Sequence, residues 1–367
     1  MSTFSKLKYF DWFLFAGIVL LSLVGLMMIY STGLAGIAES TLWTKQLAAL
    51  ALGFFALFFF SSQDYQFLRK GSSFVYLVSI ALLLAVLFFG QEIRGARRWF
   101  DLGFVNFQAA EFSKFALIIL LAKYFQVRQA VLARFGYVLL SFLYVLPLIV
   151  LIMFQPDLGS AVAHLVIWVG LLFVSPMPRR FFLYLLVIFL IVAAFAWQFF
   201  LAGYQKDRIY SFLDPTADPL GHGYNVIQSV VAVGSGGVWG TGLARGLQSQ
   251  LKFLPERQTD FIFASTAEEL GLVGGGLVLL FLGFSLLRMG KILRGARDYF
   301  GVYLVAGVWF LLITQSVINI GMNLGLLPVT GVTLPFLSYG GSSLVVMLSL
   351  IGIVESVARH SIPVRFR

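Results

Sequence analysis

The feature that most constrains this chain is a succession of apolar runs, each about 20 residues long, separated by short polar connections. At 1.5 Å per residue, ~20 helical residues cross the ~30 Å hydrocarbon core of a bilayer. Ten such runs are read near 11–31, 43–61, 72–90, 107–125, 137–154, 160–176, 181–202, 261–287, 300–325 and 338–358. The expected fold is therefore all-α, a polytopic membrane protein of about ten transmembrane helices. A single membrane domain covers 1–367, with a long extracytoplasmic loop between helices seven and eight. The first run is too long for the h-region of a signal peptide, and no A-x-A-like site precedes a soluble domain.

Composition agrees. Hydrophobic residues make up 60% of the chain and charged residues only 11%, against roughly a quarter charged in a soluble protein. Such a chain cannot cover its surface with polar groups, and it is too apolar to be disordered. The absence of Cys removes disulfides, thiolate metal sites and Cys nucleophiles. The net charge of +10 does not indicate a nucleic-acid partner, because the basic residues fall in short clusters between apolar runs.

Those clusters set the orientation. Lys6 and Lys8, Arg69 and Lys70, Arg128 and Arg134, Arg179 and Arg180, Arg288 to Arg297, and Arg359 to Arg367 alternate with loops that carry no Lys or Arg. With ten spans they share one side, which puts both termini in the cytoplasm. Two outer loops break the pattern. One holds Arg94, Arg97 and Arg98; the other, from about 203 to 260, holds Lys206, Arg208, Arg245, Lys252 and Arg257. Long loops translocate regardless of charge; alternatively these cations bind an anion, a task to which the Arg fork is suited. The Gly-rich, apolar composition of 203–260 favours re-entrant or interfacial packing over a free tail.

Ionisable groups inside spans cost on the order of 2.5–3.5 kcal/mol each, so they mark function unless they pair. Glu111 and Lys114, three residues apart on one helix face, are either a neutralised pair that fixes packing or the wall of a polar cavity. Lys45 suits the interface, where it can snorkel. Asp157, in Gln155-Pro156-Asp157-Leu158-Gly159, has the position of an N-cap for the sixth helix. Of Glu268 and Glu269, adjacent in the eighth run, only one can face a cavity. His164, His222 and His360 have no metal-ligand spacing. Asp260, in the run 254–264, stands where the long loop becomes the eighth helix. It, or Thr259, is a helix cap, or Asp260 is a carboxylate at a cavity lip that takes a proton from a substrate hydroxyl. Residue type leaves both open. The polar stretches 328–331 and 338–343 contain Ser338 and Ser342 and read as a helix entry with small residues for close packing.

Taken together these stretches resemble the SEDS family (shape, elongation, division and sporulation). The resemblance is carried by Gly95-Ala96-Arg97-Arg98-Trp99, Phe107-Gln108 with Glu111 and Lys114, Gln155 to Ser160, Gly223-Tyr224 with Gln228-Ser229, the 254–264 run, Ala267 to Gly271, and 323–343. They are ordered along nearly the whole chain. The resemblance implies a ten-helix glycosyltransferase of the bacterial inner membrane that polymerises lipid II into peptidoglycan strands, inverts the anomeric carbon and releases polyprenyl pyrophosphate. It implies a class B penicillin-binding protein as partner. Leu254-Pro255-Glu256-Arg257 resembles the elongation branch, and so implies the elongation machinery, more than the division branch, in which a small residue tends to stand at position 257. Ala109-Ala110 departs from the usual Pro-Ser, and Lys45 stands where Arg is common; both bear on helix entry.

By the same resemblance the essential aspartate falls on Asp260, the polar network on Glu111 and Lys114, and the Arg before Trp on Arg98. Asp260 is then expected as general base and as anchor of a divalent cation, Mg2+ or Mn2+. Substrate contacts are expected from Arg94, Arg97, Arg98, Glu111, Lys114, Asp157, Arg208, Gln258, Thr259, Ser338 and Ser342. The arginine loop and Lys114 would face the pyrophosphate. A lipid II flippase, a division polymerase and a scaffold that activates a partner stand as alternatives. A catalyst gathers polar residues at the outer face, whereas a flippase distributes them through the full depth.

Overall fold

The computed structural model describes every residue except 1–9, 35, 37–40, 94–95, 102, 104–105, 200–202, 222 and 362–367. Arg94 and His222 therefore lie outside the described residues, as do Lys6, Lys8, Arg365 and Arg367. Thirteen α-helices occur among the described residues. Ten correspond to the runs above: α1 (Trp12–Gly33), α2 (Leu42–Ser62), α3 (Gln66–Phe89), α4 (Ala109–Arg128), α5 (Phe135–Phe154), α6 (Leu158–Val174), α7 (Arg180–Phe199), α11 (Ile262–Gly295), α12 (Tyr299–Asn323) and α13 (Gly341–His360). The 203–260 segment folds into α8 (Gly203–Leu213), α9 (Tyr224–Ser235) and α10 (Leu247–Gln250). The architecture is all-α and polytopic.

Eight of the ten are long and apolar enough to cross a membrane. The other two are informative. Helix α6 has only 17 residues. Helix α4 carries Glu111, Lys114, Lys123 and Arg128 and is buried along nearly its whole length, packed by α3, α5, α6, α12 and α13. A helix walled in by other helices needs no apolar surface toward lipid, so it can hold charges that a lipid-facing helix excludes. Helix α7 is the opposite case, with Phe181 its only buried residue.

Carboxylate caps fix three helix starts. Asp11 accepts from Leu14 N (3.0 Å), Asp157 from Ser160 N (3.0 Å) and Asp298 from Gly301 N (2.9 Å), each satisfying an orphan amide at the positive end of a helix. Asp11 N also donates to Glu355 Oε2 (2.9 Å), and Arg288 bonds Asp11 (2.6 Å). The start of α1 and the end of α13 thus meet at one end of the bundle, as an even number of crossings requires. Arg288, Lys291 and Arg294 lie on α11 itself, which runs two turns past the expected 287.

The opposite end carries a three-stranded antiparallel sheet that periodicity did not suggest: β1 (Gln91–Ile93), β2 (Ala96–Asp101) and β3 (Asn106–Gln108) in the order β1-β2-β3. It lies between α3 and α4. Trp99 pairs with Gln108 and Asp101 with Asn106. Strand β3 runs directly into α4, and its end is tied to α13: Ser342 Oγ donates to Asn106 O (2.5 Å) and accepts from Gln108 N (3.0 Å).

Candidate active site

A cavity of about 470 Å³ opens at the sheet-bearing end of the bundle. Its walls come from the starts of α2, α4, α6 and α13, from Gln315 of α12, from Arg208 of α8, and from the segments 256–260 and 330–333. Because α4 and α6 both begin here, their first two turns supply Glu111, Lys114, Ser160 and Ala163 as the inner wall.

Of the residues expected at a site, Arg98, Glu111, Lys114, Asp157, Arg208, Thr259, Asp260 and Ser342 all line this one cavity. Glu111 and Lys114 form an ion pair of 2.5 Å, with side chains 8% and 2% exposed. The pairing reading and the cavity reading therefore hold together. Asp157 combines two positions likewise: it caps α6 and also accepts from Ser160 Oγ (2.9 Å) and Gln108 Nε2 (3.1 Å).

The arginine loop divides. Successive strand residues point to opposite faces, so Arg97 and Arg98 of β2 cannot both face the cavity. Arg97 is exposed and bonds Glu92 across the sheet at 3.3 Å. Arg98 points inward, where its Nε donates to Gln155 O (2.7 Å) and its Nη2 to Pro156 O. Its fork thus holds the carbonyl end of α5.

Gln258 and Ser338 do not line the cavity. They brace its rim: Tyr339 N donates to Gln258 O (2.8 Å), and Ser338 Oγ donates to Thr259 O (2.6 Å) while accepting from Leu334 N (2.8 Å). Gln46 clasps the same turn, with Nε2 donating to Ser338 O (3.1 Å) and Oε1 accepting from Gly340 N (3.2 Å). Tyr339 lines the cavity; burial pushes its phenol up, so it stays a neutral group at physiological pH.

Neither Glu268 nor Glu269 reaches the cavity, although the sequence left room for one of them to do so. Glu268 accepts from Gln248 N (2.7 Å) and Ser249 N (3.0 Å). Glu269 accepts from Ala244 N (3.1 Å), Gln250 Nε2 (3.1 Å), Ser249 Oγ (3.3 Å) and Ser31 Oγ. Both are buried and hold the 244–250 segment in place.

The structure adds residues that the sequence did not assign to the site, Lys45 among them, which had suited the interface. Lys45, Glu256, Gln315 and Tyr339 line the cavity. Asn319 and Asn323 of α12 are fully buried, and both donate to the carbonyl of Asp260, at 2.8 and 3.0 Å. Two amides at i and i+4 inside an apolar run are the signal that could have found them, fainter than a charge because neutral amides disturb hydropathy little. Gly331, at φ +74, faces Asp260: a Cβ there would lie 3.5 Å from Asp260 Oδ2.

Counting side chains on the wall, Lys45, Arg98, Lys114 and Arg208 match Glu111, Asp157, Glu256 and Asp260, so 4 − 4 leaves no formal excess. What the cavity offers is a set of placed charges rather than a net field. No group of three or more His, Asp or Glu side chains gathers among the described residues to form a metal cage.

A fold and a site of this kind belong to a defined class of membrane protein. The family described as cell cycle protein, which groups FtsW, RodA and SpoVE, matches residues 11–362. The chain is 38% identical to stage V sporulation protein E of Bacillus subtilis over 94% of its own length and 95% of that protein. It is 40% identical to peptidoglycan glycosyltransferase MrdB of Escherichia coli, over 86% and 85% respectively. Among solved structures it resembles a chain of a peptidoglycan synthase complex that coordinates polymerization and crosslinking (TM-score 0.81, 35% identity, 96% of this chain and 98% of that one). It also resembles the rod shape determining protein RodA of Thermus thermophilus (TM-score 0.71, 30% identity, 95% and 97%). The chain belongs to the SEDS family.

Proposed function

We propose that the protein is an inverting peptidoglycan glycosyltransferase that polymerises lipid II. It acts in the bacterial inner membrane, with both termini in the cytoplasm and the cavity at the outer face. The observation that carries this reading is the position of Asp260 in one cavity with Lys45, Lys114 and Arg208. A base and cations in a single site suit a reaction in which a hydroxyl loses a proton while a diphosphate departs. The depth of the cavity supports a catalyst over a flippase. Its wall is formed by helix starts and reaches Lys114, Ala163 and Gln315 without continuing to the Asp11–Arg288 end.

In this scheme the acceptor's 4-hydroxyl adds to the anomeric carbon of the lipid-linked donor strand. The bond from that carbon to the diphosphate oxygen breaks on the opposite face. Asp260 takes the hydroxyl proton, a role typically worth about 10²–10⁴-fold. Lys45 and Lys114 attract the departing charge. Arg98 braces the wall through the carbonyls of Gln155 and Pro156.

A divalent cation suits the oxygen donors present. Asp260 would be its protein anchor, because hard cations such as Mg2+ favour carboxylate oxygen. When bound, the cation would supply Lewis-acid stabilisation of phosphate oxygens.

The role in elongation rests on the 254–257 motif. A class B penicillin-binding protein as partner goes with the family, and the likeness to a peptidoglycan synthase complex supports it. The test is purified Asp260→Asn protein with lipid II in vitro, with and without excess chelator. Loss of glycan chain growth is expected. Normal growth would remove Asp260 as base, and full wild-type activity in chelator would remove the cation.

A further inference from the structure

Asp260 stands two residues ahead of α11, whose N-cap is Phe261 and whose first amides therefore have no partner within the helix. Ala264, its third residue, carries one of these orphan amides. Ala264 N donates to Asn323 Oδ1 (2.9 Å), and Asn323 Nδ2 donates to Asp260 O (3.0 Å). One carboxamide from α12 thus bridges the helix start and the residue ahead of its cap. The first bond within the helix is Ser265 N to Phe261 O at 3.1 Å.

The bridging carboxamide is itself held. The second Nδ2 proton of Asn323 goes to Asn319 O (2.7 Å), and its backbone carbonyl accepts from Ser229 Oγ (2.8 Å). Asn319 Nδ2 donates to Asp260 O (2.8 Å) and to Val332 O (2.8 Å), which links the carbonyl of Asp260 to the segment that carries Gly331. Both asparagines are fully buried, so these bonds form without competition from water and their geometry is fixed.

We propose that Asn323 is a positioning residue for the proposed reaction. By bonding both Ala264 N and Asp260 O it ties Asp260 to the start of α11 and sets where the carboxylate lies in the cavity. Asn319 locks the same carbonyl to the opposite wall. The inference rests on Asp260 being the base.

Two variants separate this role from plain support of the fold. Asn323→Leu has nearly the same shape but no donor or acceptor, and it cuts the link between Ala264 N and Asp260 O. The turn ahead of α11 is released on that side, and the carboxylate shifts. A displacement on the order of 1 Å can cost about 10²-fold, so kcat for lipid II polymerisation of the folded protein should fall by about that factor. KM should stay close to wild type, while the buried amide left unpaired lowers the unfolding midpoint. Asn323→Asp tests the same point with pH. An ionised carboxylate accepts from Ala264 N but repels Asp260 O, whereas a protonated one donates through its O–H and accepts through its C=O, as the amide does. The kcat ratio of Asn323→Asp to wild type should therefore rise as pH falls at pH values where SDS-induced unfolding shows both proteins folded, whereas a merely structural role moves the ratio only with the folded fraction. Wild-type kcat in Asn323→Leu, or a pH-independent ratio for Asn323→Asp, overturns the proposal. If Asn323→Leu does not fold, the pH ratio still decides. Asp260→Asn run alongside keeps the two readings apart. Normal chain growth in that variant removes the base assignment itself, and inactivity there with wild-type behaviour at position 323 removes only the positioning role.

Discussion

Glu111 and Lys114 offer the sharpest test of what a buried charge pair does at this site. The pair is 2.5 Å apart with side chains 8% and 2% exposed. Glu111→Gln leaves an ammonium desolvated beside a neutral amide, and Lys114→Met leaves a carboxylate in the same state. Breaking a buried pair from one side costs about 3–5 kcal/mol. The double variant contains no buried charge and keeps the volume, so it should unfold within about 1 kcal/mol of wild type or above it. The cycle then returns a coupling of about 6–10 kcal/mol. It is measured by SDS-induced unfolding in mixed micelles, with lipid II polymerisation assayed on the same preparations. A double variant with restored stability and no chain growth would assign the pair to the reaction as well as to the fold. Single variants within about 1 kcal/mol of wild type would refute the reasoning, because they would mean that cavity water solvates the pair.

Two further substitutions examine the wall. Gly331→Ala forces a φ of +74 on an L-residue, at a cost of about 1–2 kcal/mol; the added methyl would be in ordinary contact with Asp260 Oδ2. The unfolding midpoint and chain growth should both fall, and an unchanged midpoint contradicts the assignment of strain. Arg98→Lys can reach only one of the two carbonyls that the fork now bridges. A loss of roughly 1.5–3 kcal/mol in stability with KM for lipid II unchanged is expected, and a large rise in KM at wild-type stability would make Arg98 a substrate contact instead.

Most of the fold was legible because its dominant signal is length and apolarity, and the ten runs agree with the ten long helices to within a few residues at most ends. The exceptions have local causes. The start of α3 takes in Arg69 and Lys70 because an interfacial helix turn tolerates charge. The strands β1 to β3 are too short to show a period, and without them Arg97 and Arg98 look equivalent. At the site, ionisable residues could be found because charge inside a membrane is conspicuous. Gln46, Asn319 and Asn323 were harder to see, since neutral amides disturb hydropathy little and their partners are backbone carbonyls more than 50 residues away. Glu268 and Glu269 show the converse: two conspicuous charges whose partners are backbone and side-chain donors of a loop.

The bond from α12 at the start of α11 has a counterpart further along the same helix. At Gly271, φ +67 and ψ −164 break α11, so the carbonyls of Glu268 and Glu269 lose the amides of Leu272 and Val273. The loop before α10 takes both sides of the break. Thr241 N and Gly242 N donate to those carbonyls (3.0 Å each), while Leu272 N and Val273 N donate to Gly237 O (2.9 Å) and Val238 O (3.2 Å). The approach is close: a Cβ on Gly271 would lie 2.3 Å from Gly240 N, so only glycine fits. The stretch from 262 to 270 is therefore a short helical piece with a foreign polar group at each end, Asn323 at one and the 237–242 backbone at the other. Its place depends on tertiary partners rather than on an unbroken ladder. That explains why so many buried polar groups, the Glu268 and Glu269 carboxylates included, are committed to the outer segments. A carboxylate at the end of a continuous helix would move with the whole of α11, whereas one just ahead of a piece clamped at both ends stays in register with the wall it faces.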